Sequence, residues 1–138
     1  MANENEEIEI LYNICYGGWG ISKKTIELYK LRSNLTELNF NYNYNYCCRN
    51  DTILIQIYKE LGDEFDDKYS RTKIKKILKK YENYYYIDEY DGKEWVKIDY
   101  TKYKLDNIYY KIKEILQSNT NNNIKINEIE QFISVFEL

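Results

Sequence analysis

The strongest structural signals of this chain lie in IEILYNICYGGWGISKK, residues 8 to 24. Ile8 to Tyr16 roughly alternate apolar and polar side chains and are rich in β-prone residues, which predicts a half-buried strand. Three glycines within Gly17–Gly20 then end that strand. Ser22 is a good N-cap, so we expect the first helix to begin at about Lys23.

A strand, a glycine turn and a helix N-terminus can together bind an anion, because free N–H groups and the helix dipole converge there. The spacing completes neither common motif. Lys23 stands where a dinucleotide-binding G-x-G-x-x-G needs its last glycine, and no glycine directly precedes it as in a P-loop. The alternative is a tight turn whose glycines supply positive φ while Trp19 packs on the core. The candidate ligand-binding residues are Gly17, Gly18, Trp19, Gly20, Ser22, Lys23, Arg49, Asp51 and Glu60.

The composition limits the chemistry that this chain can perform. Its 138 residues are enough for one domain with a real core. Histidine is absent, which removes the commonest general base and metal ligand near neutral pH. Cys15, Cys47 and Cys48 are odd in number, and two are adjacent, so they predict reduced thiols rather than a disulfide framework or a zinc set. We expect no metal and no cofactor, and no apolar stretch has the length of a membrane span.

The charges are segregated along the chain. The net charge is −3, which argues against a dedicated nucleic-acid binder. Five acids and no base lie between Glu60 and Asp67, whereas seven bases and no acid lie between Lys68 and Lys80. Lysines of the Lys73–Lys80 face, followed by tyrosines, could contact a phosphate backbone and bases. The alternative is a charged strand face that discourages edge pairing, and we do not expect nucleic acid as the main partner.

The middle of the chain predicts a helix, a strand and a hairpin. Asp51 can cap a helix that stops at Gly62, and Thr72–Leu78 is typical of a strand with a cationic outer face. Asp91-Gly92 between two β-prone runs is a strong hairpin signal, because both residues tolerate positive φ. Asn41–Tyr46 alternate polar and aromatic residues, which fits an edge strand or a loop, and we favour the loop. The first helix is expected to present Ile26 and Tyr29 to the core, with Leu28 and Leu31 as further candidates.

The C-terminal part predicts two amphipathic helices. One covers about residues 105–116, and the last begins near Asn127, which forms a capping-box-like pair with Glu130. We expect a flexible N-terminus at residues 1–7, a core domain at 8–100 and a helical extension at 101–138. The fold class is α+β, with a small, mainly antiparallel sheet and two helices on one face.

Three ordered blocks of sequence resemble a family of small proteins. Members of this family occur in giant DNA viruses of the mimivirus type and in tailed bacteriophages. The blocks are YGGWGISKK at 16–24, RND at 49–51 leading into ELG at 60–62, and YIDEYDGKEWV at 86–96. The second block departs from the family pattern, since Thr52 replaces a proline and Asn50 a histidine. The resemblance implies a viral origin and a place in the host cytoplasm or the virion, and it implies no activity.

The favoured function is a viral accessory or protein-interaction protein without catalytic activity, bound to an unknown protein or to a second copy through its C-terminal helices. The alternative is a small anionic-ligand-binding protein or enzyme. Amides of Gly18–Gly20 and the Lys23 ammonium would then hold the ligand, with Arg49 as a second cation and Asp51 or Glu60 as a base. Nucleic-acid binding through the Lys73–Lys80 face is the third hypothesis.

Overall fold

A computed structural model describes residues 3–34 and 49–135 of the chain. The favoured loop at Asn41–Tyr46 and the adjacent cysteines Cys47 and Cys48 lie outside the described residues. The chain divides into two compact units, which meet in sequence between Ile98 and Asp99.

The α+β class is confirmed. The first unit contains, in chain order, β1 (Glu7–Asn13), α1 (Lys23–Ser33), α2 (Thr52–Leu61), β2 (Thr72–Leu78), β3 (Tyr85–Tyr90) and β4 (Lys93–Ile98). Short 3₁₀ turns follow α2 at Gly62–Phe65 and β2 at Lys79–Tyr81. The second unit contains α3 (Tyr100–Leu116) and α4 (Asn122–Val135).

The described strands form two antiparallel pairs rather than the single sheet that we expected. β1 pairs with β2, and β3 pairs with β4. The edge of β1 that does not pair with β2 is occupied by other acceptors, which explains why the hairpin does not extend the first sheet. The Leu11 N–H donates to the Arg49 carbonyl at 2.7 Å, and the Asn13 N–H donates to the Glu94 carboxylate at 2.8 Å. These acceptors satisfy donors that a third strand would otherwise bond.

The caps and the hairpin turn agree with the sequence. The Ser22 side chain accepts from the Thr25 N–H, and α1 begins at Lys23 as predicted. Asp51 caps α2, which ends before Gly62. Asp91 and Gly92 have φ of 51° and 90°, so both central residues of the hairpin turn have the positive φ of a type I′ turn.

The core of the first unit lies between β1, α1, α2 and the 3₁₀ turn after α2. Leu11, Leu54, Ile57 and Phe65 have at most 1% of their surface exposed. On α1, Tyr29 is buried and Ile26 and Leu28 pack against the core, but Leu31 is exposed, contrary to our expectation. The reason is angular: a residue two positions after a buried one lies about 200° further around the helix.

The second unit is a pair of helices joined by a short turn. Asp99 caps α3, and Asn121 caps α4 by accepting from the Ile124 N–H at 3.0 Å. The last helix therefore begins six residues earlier than the predicted cap at Asn127 implies, and Asn127 and Glu130 lie inside it. Asn121 is as good a cap as Asn127, and the earlier start adds six residues of helical hydrogen bonding. Among the described helices, none combines the length and apolar content needed to cross a membrane.

Candidate functional site

The three sequence blocks meet at one junction, whose centre is the Arg49 side chain. Its guanidinium carbon lies 3.8 Å from the ring centroid of Trp19. Its two terminal nitrogens donate to the two carboxylate oxygens of Glu94 at 2.6 and 2.8 Å. A planar guanidinium can stack on a ring and bind a carboxylate through two parallel bonds at the same time. Arg49 therefore joins the first block to the third.

Glu94 and Asn13 complete the junction, although the sequence analysis did not select them as site residues. Glu94 has 6% of its surface exposed and accepts from the Asn13 N–H as well as from Arg49. The Asn13 side chain donates to the carbonyls of Cys15 and Gly92 and accepts from the N–H groups of Cys15 and Arg71. All its donors and acceptor sites are used. The available signal in the sequence was that the Glu94 carboxylate lies within a β-prone run, next to Trp95, where side chains alternate between the two faces.

The Trp19 indole is fixed by a second set of bonds. Its Nε1 donates to Thr72 Oγ1 at 3.0 Å. The Thr72 hydroxyl and N–H both donate to Asp66. The Ser70 hydroxyl donates to the Gly20 carbonyl and lies 3.2 Å from an oxygen of Asp66. Asp66, from the acidic run, thus organises the chain around the glycine turn. Among the described residues, no buried side-chain nitrogen or oxygen is left without a partner.

The glycine turn packs directly against the hairpin turn. The Gly17 N–H donates to the Asp91 carbonyl at 3.0 Å. A Cβ added to Gly92 would lie 2.0 Å from the Gly18 nitrogen and 2.5 Å from the Gly17 nitrogen. Glycine is required here because the two backbones approach too closely for any side chain.

Two of the amides around the turn are already bonded, and a carboxylate lies against it. The Gly17 N–H is bonded to Asp91, and the Ser22 N–H donates to the Phe65 carbonyl at 2.8 Å. A Cβ on Gly20 would lie 1.9 Å from an oxygen of Asp67, so this carboxylate lies against the turn. A negative charge at that place repels an anionic ligand.

The remaining candidate residues are held elsewhere. Asp51 caps α2 and also accepts from the Tyr29 hydroxyl at 2.5 Å. Lys23 is exposed at the first position of α1. Glu60 pairs with Arg32 at 2.6 Å, near the end of α1 that is about 15 Å along the helix from Ser22. The structure therefore brings Gly17, Gly18, Trp19 and Arg49 together and does not bring Glu60 to them.

The carboxyl pKa of Glu60 is too low for a general base that works near neutral pH. Its hydrogen bond to Arg32 holds the pKa of its carboxyl below the usual value. A general base that works near neutral pH needs a raised carboxyl pKa, which comes from burial or from a neighbouring negative charge. Glu60 is exposed and paired with a cation, which is the opposite arrangement.

The lysines of β2 do not form one continuous patch. Lys73 and Lys75 lie on one face of the strand, whereas Lys76 lies on the other, because side chains alternate along a strand. Lys79 pairs with Glu6 at 3.3 Å. Within residues 3–34 and 49–135, no three His, Cys, Asp or Glu side chains are grouped as a metal site would require.

Comparison with protein-family models, with curated proteins and with solved structures gave no match for this chain.

Proposed function

We propose that this chain is a non-catalytic protein-interaction protein of a giant DNA virus or tailed bacteriophage, which assembles with a second copy of itself through α3 and α4. The viral origin and the place in the host cytoplasm or virion follow from the resemblance. The three blocks that carry the resemblance meet at one junction in the structure.

The state of the junction supports a structural rather than a catalytic role for the motif residues. Arg49 is the cation that a bound anion would most need, and both of its terminal nitrogens already bind Glu94. Only 7% of the Glu94 side chain is exposed. Displacing it from Arg49 would leave a buried carboxylate without its partner, and this costs free energy. The cost of opening the junction would be subtracted from any ligand's affinity.

The observation that carries the proposal is the apolar surface of the two C-terminal helices. Six of the 14 residues of α4 are apolar, yet none of the 14 is buried. On α3, Leu105, Tyr109 and Leu116 lie within about 40° of one another around the helix, and each is more than half exposed. Amphipathic helices are stabilised mainly by covering such a stripe, and large exposed apolar patches mark interaction sites.

The helix charges favour a second copy as the occupant. α3 carries four lysines and two acids, whereas α4 carries one lysine and two acids. In a two-fold dimer, α3 of one copy can lie against α4 of the other, so that helices of opposite net charge meet. Two such helix pairs form a four-helix bundle, in which apolar stripes face a common core.

The proposed interface predicts a dimer whose mass in solution falls to that of one chain when the stripe is mutated. We expect the full-length protein to have twice the 16.9 kDa of one chain by light scattering over a wide concentration range. Leu105→Glu combined with Leu116→Glu should give the mass of one chain, because charges in an apolar helix interface are costly to desolvate. Leu31→Glu, at an exposed apolar position of α1, is the matched control and should leave the dimer intact. A wild-type protein with the mass of one chain throughout would refute the proposal.

A further inference from the structure

The β3–β4 hairpin presents an outer face of unusual composition. Side chains of alternate residues share a face in paired strands. The register therefore places three rows on one face: Tyr86 opposite Lys97, Asp88 opposite Trp95, and Tyr90 opposite Lys93. Each row contains one aromatic ring, and the two outer rows each contain a lysine. We call the face formed by these six residues the ring face, and none of the six has an aliphatic side chain.

The ring face is open, whereas the opposite face of the hairpin is not. Tyr90 has 72% of its surface exposed, Tyr86 48% and Trp95 41%. On the other face, Glu94 is buried and Val96 is partly buried. The backbone of the paired hairpin therefore fixes the positions of the exposed rings. The buried Glu94, on the opposite face, anchors the hairpin to the rest of the unit.

The rings are spaced as a row along the face. Diagonal neighbours across an antiparallel pair have their Cα atoms about 7–8 Å apart, and the register places Trp95 between the two tyrosines along the face. The Lys93 ammonium lies 5.6 Å from the ring centroids of both Trp95 and Tyr16, which places a cation within the row. Lys97 is 2.7 Å from Asp88, which partly neutralises its charge. The face has the alternation of flat rings and cations that stacking sites for unpaired bases share.

We propose that the ring face binds single-stranded nucleic acid, with bases stacked on Tyr86, Trp95 and Tyr90 and with phosphates near Lys93 and Lys97. A protein partner fits this face less well, because lysine and aspartate are depleted in protein interfaces and the face has no aliphatic core. A duplex fits less well because its bases are already stacked and the net charge of −3 opposes a dense phosphate backbone. This activity is additional to self-association and does not use the Lys73–Lys80 face.

The test is fluorescence anisotropy of a short dye-labelled oligothymidylate titrated with the full-length protein. We expect saturable binding with a Kd on the order of 10 μM near physiological salt. Log Kd should rise with log salt with a slope of about 0.7 to 1.4, as expected for contact with one or two phosphates of a single strand. A duplex of the same length should bind at least about tenfold more weakly.

Variants locate the binding site. Trp95→Ala and Tyr90→Ala should each weaken binding at least about fivefold, the effect of losing one base stack, whereas Trp95→Phe should retain most of the affinity. Tyr110→Ala removes an exposed tyrosine of α3 that lies outside the Leu105–Leu116 stripe, and Lys73→Ala removes a lysine from β2. Both should leave the Kd unchanged. Far-ultraviolet circular dichroism verifies that each variant is folded. Absence of binding, equal weakening by Tyr110→Ala or equal affinity for the duplex would overturn the proposal.

Discussion

Gly92→Ala should lower the free energy of unfolding by about 3–4 kcal/mol, a loss near the upper end for a single substitution. Gly92 has a φ of 90°, which costs an alanine about 1–2 kcal/mol. The added Cβ would also overlap the backbone of the glycine turn, so the hairpin must move away. That movement breaks the hydrogen bonds from Gly17 to Asp91 and from Asn13 to Gly92. Urea unfolding followed by circular dichroism measures the loss.

Two other glycines separate the backbone strain from the steric overlap. Gly62 and Gly18 also have positive φ, but a Cβ at either would meet nothing within 4 Å. Gly62→Ala and Gly18→Ala should therefore cost only the backbone strain, about 1–3 kcal/mol each. If Gly92→Ala destabilised the protein no more than these two controls, the close packing of the two turns would be refuted.

Arg49→Met should be comparably destabilising, by about 3–5 kcal/mol, because it leaves the Glu94 carboxylate buried without its partner. The same variant also removes the stacking contact with Trp19. Stability is again measured by urea unfolding. Because the loss comes chiefly from the unpaired charge, adding Glu94→Gln to Arg49→Met should recover part of the stability.

An exposed ion pair provides the matched control for Arg49. Arg32 and Glu60 are also 2.6 Å apart, but both side chains are at least one-third exposed. Arg32→Met should cost no more than about 1 kcal/mol, since solvent screens an exposed pair. Similar losses for Arg32→Met and Arg49→Met, or a double variant less stable than Arg49→Met alone, would contradict the role assigned to the buried pair.

Local signals in the sequence were sufficient for most of the secondary structure of the described residues. Ser22 and Asp51 are caps because a short polar side chain there satisfies N–H groups of its own helix, a contact within three residues. The Asp91-Gly92 turn is equally local. The start of α4 was placed too late because Asn121 and Asn127 offer the same local signal, and only the full helix distinguishes them.

The candidate site was predictable only in part. The glycine turn and Arg49 were selected, and the structure brings them together. Glu94 and Asn13 were missed because their partners lie far away in the sequence: Arg49 is 45 residues before Glu94, and Asn13 is 81 before it. The same long-range contacts explain the division of the strands into two sheets.

The sequence by itself determined the helices, the strands, the hairpin and the α+β class, because each depends on side-chain periodicity, caps and turn residues within a few positions. Tertiary structure alone decided what the motif residues do. Whether Arg49 is free for a ligand depends on whether a carboxylate folds back to meet it, and whether glycine amides are open depends on which carbonyls pack beside them. Both depend on how segments far apart in the chain approach one another, which local preferences do not determine. The cost of leaving buried polar groups unpaired selects the arrangement.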